Sequence, residues 1–484
     1  MRAFDLIVIG SGPAGEKGAA QAAYFGKKVA LIERSAPALG GACTNTGTLP
    51  SKTLRESALA LSGLHQRGLE AAVHSLPKPL AASTLMHRER IIVDRERRRI
   101  QRNLDRHLVE LFRGAASFVD THTVQVTPGP GAGDQAADEL LTAPFILIAT
   151  GSRPHRPAWL PFDQEEVYDS DEILQIEHVP ESLLVLGSGV IASEYACMFA
   201  AIGTKVTVLD GRPSLLGFLD GELVLAFSRE LGRLGLELCL GDQPVACVVD
   251  PATRLCTVTT EKGARHTGAA VLAAAGRTGN GDLPGLAALG VIPDKRGNLV
   301  VNDHFQTAVP HLYAAGDVVG SPALASVSME QGRVAMCHAF QLSYKTRVSP
   351  ILPTGIYTIP EISTVGATEE ELTRKGVDYL AGRAQMRDNA RGEILGEENG
   401  FLKLLFSPEK KLLGIHCVGP SATEIIHTGQ LAMLQGATID LFIEAVFNYP
   451  TLSELYKYAA YDGLGALARR KAAAGAAAAS APTG

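Results

Sequence analysis

One tryptophan stands among 484 residues, and no two of the seven cysteines form a Cys-x-x-Cys pair. At positions 43, 197, 239, 247, 256, 337 and 417 they are scattered and odd in number, which argues against a disulfide framework or a zinc site. A reducing cytoplasm is the expected setting. No stretch approaches the ~18 consecutive apolar residues of a membrane span, and the run from Leu6 to Ile9 is too short for the core of a signal peptide. A cationic excess is missing too: 45 Lys and Arg face 51 acids, a formal net charge of −6. Neither nucleic acid nor an anionic membrane is therefore an expected partner; small molecules are.

Glycine, by contrast, is abundant at 50 residues, enough for many tight turns and close backbone approaches. Two of these turns repeat. Leu6-Ile-Val-Ile-Gly-Ser-Gly12 and Leu183-Leu-Val-Leu-Gly-Ser-Gly189 are nearly the same text. Each is followed by an apolar strand ending in an acid, Val29 to Glu33 and Val206 to Asp210, so that each acid lies 23 residues beyond its first glycine. Short all-apolar strands alternating with helical stretches predict parallel sheets built from βαβ units.

The fold class expected is thus α/β, with two doubly wound Rossmann-type domains. The second, at 153–277, is inserted into the first, at 1–152 and 278–348, because Phe145 to Gly151 and Leu312 to Asp317 carry strand-plus-glycine signals that would close the first sheet. A C-terminal α+β domain over 349–467 follows, with strands expected at Leu402 to Phe406 and Leu412 to Val418, and 468–484 reads as a disordered alanine-rich tail. The basic run His87 to Arg113, with Ile100, Leu104, Leu108 and Leu111 in helical register, predicts one amphipathic helix. Thr127 to Asp138 reads as a loop.

Gly10-x-Gly12-x-x-Gly15 with Glu33 has the order of a dinucleotide site: a tight turn, close approach to a pyrophosphate, a helix N-terminus, and an acid for a ribose. Gly187-x-Gly189-x-x-Ala192 with Asp210 repeats it, with a small residue where helix packs on strand. Two dinucleotide sites in one chain imply internal hydride transfer, a bound flavin taking hydride from a diffusible nicotinamide.

Gly40 to Lys52 (GGACTNTGTLPSK), Ala149-Thr-Gly151, Gly276-Arg-Thr-Gly-Asn280, Ala315-Gly-Asp317 and Asn448 to Glu454 (NYPTLSE) together resemble the pyridine nucleotide-disulfide oxidoreductase family over about residues 3 to 467. The resemblance implies FAD at Gly10, Gly12, Pro13, Ala14, Gly15, Glu33, Arg34, Gly41, Cys43, Lys52, Thr150, Gly151, Gly316, Asp317 and Ala325. It implies NAD(H) or NADP(H) at Gly187, Gly189, Val190, Ile191, Glu194, Asp210, Arg212, Gly276 and Arg277, with Lys52 and Glu194 as the catalytic pair, and a homodimer or higher homo-oligomer through the C-terminal domain.

Departures from the family pattern narrow the expectation. A disulfide reductase carries a second cysteine five positions after the first, and here that position is Thr48. Its thiol-handling histidine is replaced by Tyr449, which leaves Glu454 as a helix residue. The family branch that lacks both residues passes hydride from NADPH through FAD to NAD+ by a ping-pong mechanism. A quinone reductase or diaphorase built from the same parts is the rival enzyme, and a flavin-bound interaction protein the rival of another class. Asp210 argues for a ribose hydroxyl and against a 2′-phosphate, while Arg212 offers the phosphate a partner. Cys43 reads equally as a reactive thiol and as a small apolar filler, and His416 as a core histidine. No metal site is expected; Glu424-x-x-His427 reads as helix packing.

Overall fold

The computed structural model describes residues 1–35, 38–66, 82–129 and 138–479. The chain divides into two compact units, one of Met1–Leu54, Pro79–Val179 and Ala273–Ser349, the other of Arg55–Lys78, Pro180–Leu272 and Pro350–Gly484.

In the first unit the apolar runs Leu6–Ile9 and Val29–Glu33 are buried along their whole length, which demands cover on both faces of the sheet. Alternation sorts the side chains: Ile7, Ile9, Ala30 and Ile32 join one core with Phe112, Ile146 and Ile148, while Leu6, Val8, Val29 and Leu31 join a second under helices Pro13–Tyr24 and Ala325–Ala339. Parallel strands lie in the order Glu110–Phe118, Val29–Glu33, Leu6–Ile9, Phe145–Ile148, Leu312–Ala314. The direction of winding reverses between Leu6–Ile9 and Phe145–Ile148, and a ligand crevice forms beyond the strand ends at such a point. An antiparallel extension, Glu110–Phe118 with Thr123–Pro128 and Glu139–Thr142, widens the sheet.

The expected helix over His87 to Arg113 is two elements. Helix Ala82–Arg106 buries Ile100 and Leu104, but Leu108 is 88% exposed at φ +54, and Leu111 belongs to the following strand. The chain reverses at Leu108 so that Glu110–Phe118 can pair with Val29–Glu33, and sheet pairing overrides the helical stripe. Residues 130–137 of the expected loop lie outside the described residues. The unit boundaries at Val179/Pro180 and Leu272/Ala273 also differ from the sequence division at 153 and 277. Ser152–Pro154 pairs antiparallel with Arg277–Gly279, which ties both stretches into the first unit.

The second unit holds a parallel sheet in which Glu237–Leu240, Lys205–Asp210 and Ser182–Leu186 are neighbours, flanked by helix Val190–Ala201. Helix Gly221–Arg233 buries Leu223, Phe227 and Leu231, spaced four apart on one stripe and each contributing about 1.5–3 kcal/mol on burial. Its N-cap is Asp220, whose side chain accepts from the Glu222 amide. The C-terminal segment is an antiparallel sheet in the order Thr354–Ile356, Ile362–Gly366, Leu412–Val418, Phe401–Phe406, Leu380–Gln385, covered by helices Ala422–Leu434 and Leu455–Ala479. The tail expected to be disordered from 468 is helical as far as Ala479, because alanine is the strongest helix former and the helix already has a packed start.

Candidate functional site

Gly10 ends the first strand at φ +102, and an added Cβ there would meet the Ala149 carbonyl oxygen at 2.4 Å. A Cβ on Gly15 would meet the Gly10 oxygen at 1.9 Å, so only glycine lets helix and turn approach. Gly12 is the extended N-cap of the helix, Pro13 fills its first turn and Ala14 is buried beneath it. The free N–H groups of this helix start face the crevice end of the sheet, with the charge complement of a pyrophosphate. Glu33, 8% exposed, accepts from the Ser11 amide at 3.1 Å, the Ser11 hydroxyl at 2.6 Å and the Ser35 amide at 3.0 Å. The Ser11 hydroxyl in turn accepts from the Gly40 amide at 3.0 Å, which brings the Gly40-Gly41 segment against the turn. Arg34 is exposed beyond Glu33.

Across the crevice, Thr150 and Gly151 follow the adjacent strand, and Asn280 staples them: its side-chain amide donates to the Thr150 oxygen at 2.9 Å, and its own carbonyl accepts from the Thr150 hydroxyl at 2.8 Å. The Gly316 amide donates to Gln331 at 2.8 Å, and Asp317 accepts from the Ser152 hydroxyl at 2.9 Å. Ala325 opens the helix that carries Gln331. Gly276 sits at φ +106 with open space where a Cβ would lie. Arg277 donates to the Ser152 hydroxyl at 2.8 Å and carbonyl at 2.9 Å and pairs with Asp171 at 3.6 Å. The structure therefore groups Gly276 and Arg277, expected at the nicotinamide dinucleotide, with the first unit and with Asp317.

Cys43 lies in the short helix Gly41–Asn45, and Thr48 and Lys52 in the next, Thr48–Gln66. Asn45 brackets this junction by donating to the carbonyls of Ala38, Leu39 and Gly41. Burial pushes the Cys43 thiol up, and a hydrogen bond with the Thr48 hydroxyl offsets only part of that shift. At neutral pH the residue is a thiol, which favours the apolar filler over the reactive thiolate. Lys52 donates to the Ser51 hydroxyl at 3.4 Å.

In the second unit Gly187, at φ +121, and Gly189, the extended N-cap of helix Val190–Ala201, repeat the first turn. A Cβ on Gly189 would enter open space, the cradle a phosphate needs, while Val190 and Ile191 form the half-buried first turn and Ala192 is fully buried. Glu194, 4% exposed, accepts from the Tyr357 amide at 2.9 Å. Lys52 and Glu194 belong to different units. At the end of the following strand Arg212 folds back on Asp210, its Nε donating at 3.2 and 3.1 Å and its terminal nitrogen at 2.6 Å. Burial pushes the Asp210 carboxyl up, but the guanidinium, the Arg212 amide and the Ser188 hydroxyl outweigh it and hold it below the usual range. His416 is fully buried between Thr364 and the Ala367 carbonyl, a core histidine, and His427 bonds Gln430.

Ser11, Ser188, Ser152 and Asn280 were not among the expected site residues. The first two were signalled by the repeat itself, which places a serine between the first glycines of both copies.

Residues 4–332 match the sequence profile of the pyridine nucleotide-disulphide oxidoreductases, and 352–460 that of their dimerisation domain. A soluble pyridine nucleotide transhydrogenase of Mycobacterium bovis (strain BCG / Pasteur 1173P2) is 45% identical over 465 residues, 96% of this chain and 97% of that one. One from Pectobacterium atrosepticum is 42% identical over 96% and 98% of the two chains. Among solved structures, the HOCl-induced flavoprotein disulfide reductase RclA from Escherichia coli superposes with a TM-score of 0.83 at 24% identity over 94% and 98% of the chains. LpdA from Mycobacterium tuberculosis superposes at 0.85 and 24% over 95% and 99%, and both likenesses speak for the fold. The profile match spans both glycine turns, the Cys43 segment and the Asp317 segment, and this chain belongs to the pyridine nucleotide-disulphide oxidoreductase family.

Proposed function

We propose that this protein is a soluble transhydrogenase that moves hydride from NADPH to NAD+ by a ping-pong mechanism, without a redox-active disulfide. FAD, when bound, supplies the two-electron carrier between the nucleotides. The unit of Met1–Leu54, Pro79–Val179 and Ala273–Ser349 would hold it, Pro180–Leu272 the nicotinamide dinucleotide, and 350–467 the contact with a second copy. At the first turn Gly10, Gly12 and the start of helix Pro13–Tyr24 bind the pyrophosphate, while Ser11 and Ser35 hold the Glu33 carboxylate in place for the ribose. Asp317 is oriented by Ser152, itself held by Arg277. Lys52 supplies positive charge beside the carrier. At the second turn Gly187 and Gly189 receive whichever nicotinamide nucleotide arrives.

The observation that carries this reading is the pairing of Cys43 with Thr48: the hydrogen-bond partner at the site of a second thiol is a hydroxyl, and the remaining thiol is pushed away from ionisation. Such a site can position a carrier, but with no second thiol to resolve a mixed disulfide it cannot complete the reduction of a disulfide substrate. Anaerobic titration of the purified holoprotein with NADPH and then NAD+ tests it. Two electrons per subunit should be taken up and returned to NAD+. Uptake of four, or turnover of lipoamide at a rate comparable to NAD+, would refute it. Inertness toward NAD+ with rapid turnover of a soluble quinone would favour the diaphorase instead.

A further inference from the structure

Lys403 is a charged residue in the middle of an otherwise apolar, fully buried strand, Phe401–Phe406, and is itself 1% exposed. Its ammonium donates to both oxygens of Asp220, at 2.8 and 3.0 Å, and pairs with Glu222 at 3.0 Å and Glu369 at 2.6 Å. Arg383 closes the cluster from the neighbouring strand, with Nε 2.9 Å from both oxygens of Glu222 and a terminal nitrogen 3.2 Å from Glu369. Asp220 is thus shared: it accepts from the Glu222 amide at 3.1 Å, from the Glu369 amide at 3.2 Å and from Lys403. An ion taken this far out of water is held only by such full pairing.

Asp220 is also the far end of the segment that leaves Asp210. The near end is fixed where the Arg212 carbonyl accepts from the Gly241 amide at 3.0 Å. In the middle, the Leu216 amide donates at 2.9 Å to the carbonyl of Ser188, the residue inside the second glycine turn, and the Ser188 hydroxyl donates to the Ser214 carbonyl at 3.3 Å. Leu216 makes that contact at φ +44, a conformation a leucine rarely adopts unless its surroundings impose it, with its side chain 2% exposed.

We infer that residues 211–220 form a strap across the second glycine turn, and that Lys403 is the positioning residue that holds its far end. Lys403 touches no nucleotide; it acts through Asp220 and Leu216 on the Ser188 carbonyl, hence on the turn that receives the pyrophosphate. The inference rests on the reading of this turn as the nicotinamide dinucleotide site. Because the pyrophosphate is common to NADH and NADPH, loosening the strap weakens both alike, unlike a change at Arg212.

The test uses the FAD-loaded full-length protein with Lys403→Met, Lys403→Arg as the charge-keeping variant, and Glu369→Gln at the more exposed edge of the cluster. Dissociation constants for NADH and NADPH are read by anaerobic fluorescence titration of the pre-reduced holoprotein, whose flavin can accept no further hydride, alongside KM and kcat. In Lys403→Met both dissociation constants and both KM values should rise about tenfold while kcat stays within about twofold, the pattern of lost uniform binding. Lys403→Arg should recover most of the loss, and Glu369→Gln should show the same pattern at smaller size. Unchanged nucleotide affinity in the folded variants, or a loss confined to one nucleotide, overturns the inference. If Lys403→Met does not fold, Glu369→Gln decides by the same readout. The titration needs no turnover, so a protein that bound both nucleotides but moved no hydride would sink the proposed function and still decide the strap.

Discussion

Replacing Arg212 by alanine should separate NADPH from NADH. The guanidinium now makes three hydrogen bonds to the Asp210 carboxylate, and its side chain is 61% exposed. An NADPH 2′-phosphate arriving at Asp210 meets a carboxylate held ionised, and two unit charges ~4 Å apart at a protein surface interact by about 4 kcal/mol before screening. Arg212 can turn from Asp210 to the phosphate, a charge-assisted bidentate interaction of about 1.5–3 kcal/mol. Both figures shrink with the solvent exposure of the pair, and the hydrogen bonds that Arg212 gives up at Asp210 must be subtracted. A net of about 1.5–2 kcal/mol remains, or roughly a 10- to 30-fold rise in the NADPH dissociation constant at low salt.

NADH brings no phosphate, and its ribose hydroxyls can donate to the same carboxylate, so its affinity should change by less than about threefold. Anaerobic fluorescence titration of the pre-reduced holoprotein with each nucleotide measures both values, and repetition at high salt should narrow the gap as screening grows. Equal losses for NADPH and NADH, or a gap that does not respond to salt, would remove Arg212 from the account.

Gly15→Ala should yield protein with little FAD, because the new Cβ collides with a backbone oxygen, whereas Ala192→Gly should keep nucleotide binding and cost about 1 kcal/mol in helix propensity; flavin absorbance and thermal melting distinguish the two. Lys52→Met should slow flavin reduction by NADPH in stopped flow without releasing FAD, and an unchanged rate would end its proposed role. Acid stability should fall in two stages. Burial lowers the His416 pKa, so its contribution is present above the unfolded value of ~6.5 and is lost as pH falls below it. Asp220 and Glu222, which burial pushes up but Lys403 and Arg383 pull below the usual carboxylate range, contribute above the unfolded values of ~3.9 and ~4.3. Their contribution is lost as pH falls through the lower folded values. His416→Gln should erase the first stage of the melting profile and leave the second.

How much of this could be read from the chain depends on how far apart the interacting residues lie. Val29–Glu33, Phe145–Ile148 and Ser182–Leu186 fell within a residue or two of expectation, since an unbroken apolar run bounded by glycine or charge has few alternatives. Both glycine turns were legible for the same reason, being short and repeated. Leu108 was misread because its helical register is local while the strand partner that claims the chain lies at Val29–Glu33. Lys403 was invisible: nothing near it hints at a partner 183 residues away, and a lone lysine inside an apolar strand carries no sign of whether it is paired. Asn280 and Arg277 were legible as text within a family motif, but their work on Thr150 and Ser152, across 130 and 125 residues, needed coordinates.

The two copies of the turn also differ in a way that bears on which ligand stays and which leaves. In the first copy the acid is committed: Glu33 is buried and receives three donors from Ser11 and Ser35, two of them backbone amides. A site ordered before its ligand arrives loses little entropy on binding and suits a cofactor that stays. In the second copy the acid is covered by a long, mostly exposed side chain, Arg212, which must leave Asp210 before that carboxylate can meet a ribose and can turn instead to a phosphate. NADH then competes with an internal ion pair, whereas NADPH regains at Arg212 what it loses in opening that pair. A ping-pong cycle requires one nucleotide to vacate the site before the other enters. On the proposed cycle an acid already satisfied by its own arginine would favour that release, and the same sequence pattern at 10–33 and 187–210 would serve retention in one place and exchange in the other.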